Sequence, residues 1–127
     1  MLMLGSRYKT KMQFHVAGSP PWKPSPGPTR QKYEPARKEL VEKLQREAYR
    51  AARTELGEEI FFSERVALGI KYHRAKGRRD GANIIGGVAD ALQKILYKDD
   101  SALVEIHYVE ETSEDAEDDY WIEVAKE

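Results

Sequence analysis

The sequence predicts an α+β domain with the element order β-α-β-α-β-β, a small mixed sheet carrying two main helices. Three observations predict it. Four short stretches alternate apolar and polar residues, and two longer stretches repeat apolar residues every three or four positions. The length of 127 residues, with no internal repeat, suits one hydrophobic core rather than two. Hydrophobic residues make up 40% and charged residues 34%, the balance of a soluble, highly charged globule rather than a membrane or low-complexity chain. No apolar run is long enough to span a bilayer, and MLMLGSRYKTKMQ lacks a signal-peptide core. The absence of cysteine removes disulfides, thiolate zinc sites and a thiol nucleophile, which assigns the chain to a reducing cytoplasm.

The first eleven residues show weak periodicity and are expected to form a flexible extension, with the domain running over 12–127. Met12, Phe14 and Val16 alternate with polar or small neighbours as a first strand. The following GSPPWKPSPGPTRQKYEP holds all six prolines, which fix φ and remove backbone donors, so an extended loop is expected up to Pro35. From about Ala36 to Leu56, the residues Val41, Leu44, Ala48, Ala52 and Leu56 form the apolar stripe of an amphipathic helix, and Gly57 is its stop. Val66, Leu68, Ile70 and Tyr72 alternate as a strand that runs into the basic loop HRAKGRRD. A second helix is expected from Gly81 to Leu96, with Asp80 as N-cap and Ile84, Ile85, Val88, Leu92 and Ile95 on its apolar face. YKDDS is a polar turn. Val104, Ile106 and Tyr108 form a third strand and Tyr120, Ile122 and Val124 a fourth, joined through an acidic hairpin tip.

Charge is segregated. Residues 1–57 carry twelve Lys/Arg against five Asp/Glu, a balance of +7, and residues 58–127 carry nine against seventeen, a balance of −8. Lys71 to Arg79 holds five basic residues and no acid, whereas seven of the ten residues from Glu110 to Asp119 are acidic. The acidic run reads as a solvated, mobile tip. The basic loop reads as a positive face for a polyanion. Lys71, Arg74, Lys76, Arg78 and Arg79 on that loop can follow a phosphate backbone without reading bases, and Lys23, Arg30 and Lys32 can extend the surface. Trp22 or Tyr33 could stack on an unpaired base, although Trp22 serves equally as a loop anchor. His15, His73 and His107 lie on polar sides of strands without metal-ligand spacing, and Trp121 reads as packing.

The chemistry is concentrated in RRDGANIIGGVADALQKILYKDDS, residues 78–101. Asp80, Asn83, Gly87 and Asp90 follow at spacings of three, four and three, on one side of the helix, and Asp99 and Asp100 stand at its far end. A helix of about fifteen residues is about 22 Å long, so acids at its two ends meet only if the next strand returns along it or Asp80 reaches across from its loop. Clustered carboxylates without cysteine suit a hard ion such as Mg²⁺ or Mn²⁺, which beside a basic surface suits phosphodiester hydrolysis. The plainer alternative is a helix cap and an Asp-Asp-Ser turn.

This segment resembles the RusA-type Holliday-junction resolvases, small metal-dependent endonucleases. Their pattern is an Arg, an Asp-x-Asp-Asn opening a helix, a Lys one turn on, an Asp before Ala-Leu, and an Asp-Asp pair leading into a strand. Val16, Gly18, Pro20 and Lys23 extend the resemblance to an N-terminal strand followed by Gly-x-Pro and a Lys, so it covers most of the chain from Met12. Carried over by position, it implies Asp80, Asp99 and Asp100 as metal ligands, Asp90 as an assisting acid and Asn83 as a supporting residue. The second motif aspartate falls on Ala82 and the motif lysine on Gly86, so the chain is a divergent member with a thinner ligand set. Gly86 and Gly87 each cost about 1 kcal/mol in a helix relative to alanine. They permit close packing against a strand, a second helix or a dimer partner, or else admit a phosphate where the family's lysine would stand.

The resemblance implies a homodimeric, Mg²⁺- or Mn²⁺-dependent endodeoxyribonuclease that resolves four-way junctions or other branched DNA in recombination and repair. Two symmetric cuts call for two sites, which a C₂ dimer supplies. Ala82 and Gly86 favour an alternative, a catalytically impaired homologue that binds DNA or is structural. A plain dimeric interaction module would explain the charge but not the motif order.

Overall fold

A computed structural model describes residue 4 and residues 7–24, 28–56, 65–75, 81–112 and 117–126. The elements are β1 (Lys9–Ala17), α1 (Pro28–Leu56), β2 (Val66–Arg74), α2 (Gly81–Leu92), a short 3₁₀ turn (Asp100–Ala102), β3 (Leu103–Thr112) and β4 (Asp119–Lys126). The β-α-β-α-β-β order and the single small domain with a mixed sheet are as the periodicities predict. The strands lie in the order β1-β4-β2-β3. β4 pairs antiparallel with both β1 and β2, and β2 pairs parallel with β3. β2, α2 and β3 therefore form a β-α-β crossover, the connection that parallel neighbours require.

Both helices pack on one face of the sheet. Leu44, Ala48 and Ala52 of α1 and Ile84, Val88 and Leu92 of α2 meet the inward residues of β1, β2 and β4, with Leu68, Ile70 and Ile122 fully buried at the centre. Burying side chains of this size stabilises the fold by about 1.5–3 kcal/mol each. The opposite face holds a smaller cluster of Leu4, Tyr8, Ala67 and Ala125. Beside it the buried Glu123 carboxylate accepts the Leu4 N–H at 3.0 Å and the Gln13 amide at 2.7 Å. Residues of the expected N-terminal extension thus pack on the sheet, and β1 begins at Lys9 rather than Met12.

Three further boundaries differ from expectation. α1 starts at Pro28, two turns before Ala36, so part of the proline-rich segment is helical. Pro28 suits a first helical position because its missing N–H would be unbonded there, and Pro35 inside the helix removes one rung only. α2 stops at Leu92 rather than Leu96. Lys94 adopts φ 65°, and Ile95 and Leu96 both turn their N–H groups back to the Leu92 carbonyl. Finally, β3 and β4 are not a hairpin, because β2 lies between them. Alternation alone identifies strands, not their neighbours, and burying β2 on both sides placed it at the interior of the sheet.

Candidate nucleic-acid interface

A strap formed by Pro20–Lys23 crosses α2, and the glycine pair is what lets it. A β-carbon on Gly87 would stand 2.5 Å from the Pro21 carbonyl oxygen and 2.6 Å from the Trp22 backbone. One on Gly86 would stand 2.5–2.8 Å from the Cε, Cδ and Cγ atoms of Lys23. The Lys23 N–H donates to the Asn83 carbonyl at 3.0 Å, which anchors the strap one turn earlier on the helix. The close packing expected at Gly86–Gly87 is therefore real, but its partner is the chain's own strap, not a strand or second helix. The space over Gly86 is filled by the lysine stem. Trp22 is buried and its carbonyl accepts from Arg37 at 3.4 Å, so it is a loop anchor and does not offer its ring to a base.

Beyond the strap, α2 and β3 border an open groove of about 460 Å³. Ile85, Ala89, Leu103 and Ile106 give it apolar walls, and Lys23, Asp90 and Glu105 bring charge to it. Asp90 is exposed. Arg37 on α1 is held charged first by its hydrogen bonds to Glu34, at 2.7 and 3.1 Å, and further by the fields of Glu34 and Asp90. Neither Arg37 nor Glu105 stood out in the sequence. Arg37 was one of many helix cations, and Glu105 one polar residue of an alternating strand.

β3 does return antiparallel along α2. A β-carbon on Gly81 would touch the Tyr108 ring at 3.3 Å, while Ala89 and Asp90 share the groove with Leu103 and Val104. This direction keeps Asp99 at the C-terminal end of α2. From Leu103 to Tyr108 the strand covers about 16 Å at the usual rise, so Asp99 and the first turn of α2 stand at opposite ends of the helix. The Asp99 carboxylate accepts hydrogen bonds from the Ser101 hydroxyl and from the Ser101 N–H at 2.9 Å, and its carbonyl accepts from Ala102. The hydroxyl first, then the backbone donor, holds this carboxyl below its ordinary range. Asp99 thus caps the 3₁₀ turn. Tyr97, just before it, sends its hydroxyl back to the Ala89 carbonyl at 2.5 Å and pins the turn to α2.

Among the described residues no group of three or more His, Asp or Glu could hold a metal ion. Asp90 and Asp99 therefore do not form a metal centre by themselves. Asp80 and the side chain of Asp100 lie outside the described residues, as do Lys76, Arg78 and Arg79. Arg30 and Lys32, expected on a loop, belong to the first turns of α1, and their side chains also lie outside.

In its described part the acidic run is exposed at Glu110, Glu111 and Glu117, but most of its acids are paired rather than free. Glu111 pairs with Lys71 at 3.3 Å and with His73 at 3.2 Å, and Glu110 pairs with Arg74. Asp118 accepts from the Tyr72 hydroxyl at 2.6 Å and the Ala75 N–H at 2.7 Å. Asp119 meets His15 at 2.5 Å and His73 at 2.9 Å. These acids neutralise the end of β2 and hold the crossing chain against it. Burial pushes the Tyr108 hydroxyl up to about 12, aided by its hydrogen bond to Glu110. Burial also acts to raise Asp119, but the hydrogen bonds from His15 and His73 outweigh it and leave the carboxyl below its usual range. Lys71 and Arg74, the two described members of the basic run, are thus each engaged by a glutamate of β3. The remaining aromatic expected as packing, Trp121, stacks at a tilt on His15 with ring centres 4.9 Å apart.

A search among curated proteins finds no match. The profile described as Endodeoxyribonuclease RusA matches residues 8–118, from the residue before β1 to the residue before β4. That span contains the strap, α2, the Asp99–Asp100 turn and the groove between α2 and β3. The chain belongs to the RusA endodeoxyribonuclease family.

Proposed function

We propose that this protein is a metal-dependent endodeoxyribonuclease that acts on branched DNA, four-way junctions included, as a C₂ homodimer in the cytoplasm. The observation that carries the reading is the family match across residues 8–118. Asp80, Asp99 and Asp100 are the proposed ligands of Mg²⁺ or Mn²⁺, with Asp90 in support. Because Asp99 and the first turn of α2 stand at opposite ends of the helix, Asp80 is proposed to join the ion from the second protomer. The cations from Lys71 to Arg79, of which Lys71 and Arg74 stand on β2 rather than on a loop, are proposed, together with Lys23, Arg30 and Lys32, to hold the phosphate backbone. Among the described residues no helix is long and apolar enough to cross a membrane. Two sites related by a two-fold axis match two symmetric cuts in a junction.

A second reading is a DNA-binding homologue without turnover. It is favoured by Ala82 and Gly86 at motif positions, and by the engagement of the Asp99 carboxylate with Ser101. One experiment separates the two. A labelled synthetic four-way junction is incubated with the protein and Mg²⁺ or Mn²⁺, and cleavage and binding are both scored. Paired cuts that Asp100→Asn abolishes support the nuclease. Salt-sensitive binding without cutting under either metal supports the second reading. Absence of both binding and cutting refutes both.

A further inference from the structure

The connection from β2 to α2 carries Lys76, Arg78, Arg79 and Asp80. Its two described ends, Ala75 and Gly81, are each held by a side chain from another part of the sheet. At Ala75 the N–H donates to the Asp118 carboxylate at 2.7 Å. At Gly81, the first residue of α2, the ring of Tyr108 lies over the helix backbone. A β-carbon at position 81 would stand 3.3 Å from Tyr108 Cε2, and 3.8 and 3.9 Å from Cδ2 and Cζ. The ring is itself fixed. Its body packs against the core, and its hydroxyl donates to Glu110 at 3.0 Å. Glu110 accepts in addition from Arg74 Nη2 at 3.2 Å, and the Arg74 guanidinium lies over the Tyr72 ring, 5.1 Å from its centre. Tyr72 then donates to Asp118 at 2.6 Å. One path of side chains, Tyr108–Glu110–Arg74–Tyr72–Asp118, therefore joins the start of α2 to the end of β2.

We infer that Tyr108 is a positioning residue for Asp80, the residue before Gly81: its ring fixes where α2 begins, and its hydroxyl ties that point to β2. Helix ends fray, whereas a group that ligates an ion must be held within about 0.5 Å of its working position. A ring seated on the first helical residue meets that need without touching the ion. The inference rests on the nuclease reading above, in which Asp80 is a metal ligand, and adds to it the group that holds this ligand in place. Gly81 is then small because the ring occupies the space above it.

The test uses the full chain, with Mn²⁺ binding measured by isothermal titration calorimetry and metal-free binding of a fluorescent four-way junction measured by anisotropy. Amide hydrogen exchange over residues 83–85 reports the order of the first turn of α2. Loss of a group that orients a metal ligand costs about 10–100-fold in metal affinity, so Tyr108→Leu is expected to weaken Mn²⁺ binding by about tenfold or more. The same variant is expected to speed exchange over residues 83–85 and to leave junction affinity within about twofold of the parent chain, a split that general loss of structure would not produce. Tyr108→Phe keeps the ring and is expected to retain Mn²⁺ affinity to within about threefold. Gly81→Val leaves Tyr108 in place but takes the space of its ring, and is expected to weaken Mn²⁺ binding as Tyr108→Leu does; it decides the matter should Tyr108→Leu not fold. If the parent binds Mn²⁺ and the folded variants at 81 and 108 all bind it equally, the inference is overturned while the nuclease reading stands. If Tyr108→Phe is as weak as Tyr108→Leu, the seat of the ring on Gly81 is not what positions Asp80, and the inference is again overturned. If the parent chain binds no Mn²⁺, the nuclease reading falls and the inference with it.

Discussion

Replacing Gly87 by alanine should destabilise the protein although the same change stabilises most helices. In an exposed helix interior Gly→Ala is worth about 1 kcal/mol in favour of alanine. At Gly87 the added carbon would meet the Pro21 oxygen at 2.5 Å, against ordinary contact at 3.4 Å or more, so the strap backbone must retreat by about 0.9 Å. Overpacking of this kind costs about 1–3 kcal/mol. The retreat also strains the Lys23–Asn83 hydrogen bond, worth about 1 kcal/mol, and lifts Trp22 from its buried seat. The net expectation is a loss of about 1–3 kcal/mol, or roughly 5–15 °C in Tm for a domain of this length. Gly86→Ala is the internal control. Its β-carbon meets a flexible lysine stem that can swing aside, so the helix gain and the contact cost offset each other to within about 1 kcal/mol. Urea unfolding of the two variants, with unchanged m-values, measures the contrast. The reasoning is refuted if Gly87→Ala is as stable as the parent, or if Gly86→Ala is equally damaging.

Two buried tyrosines should respond in opposite directions to loss of the hydroxyl. Tyr97→Phe removes the donor to the Ala89 carbonyl and should cost about 1–3 kcal/mol in urea unfolding. The Tyr120 hydroxyl is buried without a hydrogen-bond partner among the described residues, so Tyr120→Phe should leave stability unchanged or raise it by up to about 1 kcal/mol, read in the same assay. Asp119 predicts a pH response. Its folded pKa lies below the unfolded value of about 3.9, so its contribution is complete above that value and is lost as pH falls through the folded pKa. Acid unfolding followed by circular dichroism should therefore show a shallower stability loss below about pH 4 in Asp119→Asn than in the parent chain.

Much of the fold was legible because it depends on local period. The alternation Val66, Leu68, Ile70, Tyr72 and the stripe Leu44, Ala48, Ala52 each report a face that must be buried, and both are buried in the core. The family was legible by motif, because the aspartate order is written along the chain. Less visible was everything set by contacts between distant residues. Glu110, Glu111, Asp118 and Asp119 read as a free acidic tip because a charge run carries no mark of the cations it will meet. Their partners Lys71, Tyr72, His73 and Arg74 lie nearly forty or more positions earlier in the chain. Asp99 likewise carries the same residue type whether it caps a turn or faces an ion, and only its approach to Ser101 shows the cap.

By itself the sequence determined the number and kind of elements, the segregation of charge and the family-like aspartate order, because periodicity and residue chemistry are written along the chain. Only the tertiary structure decided that β2 separates β3 from β4, and that Gly86 and Gly87 exist for a proline-rich strap. Only it showed Lys23 lying where a helix side chain would otherwise stand. The reason is physical: strand order and steric exclusion arise between segments far apart in sequence, and a glycine records that space is needed without recording what fills it.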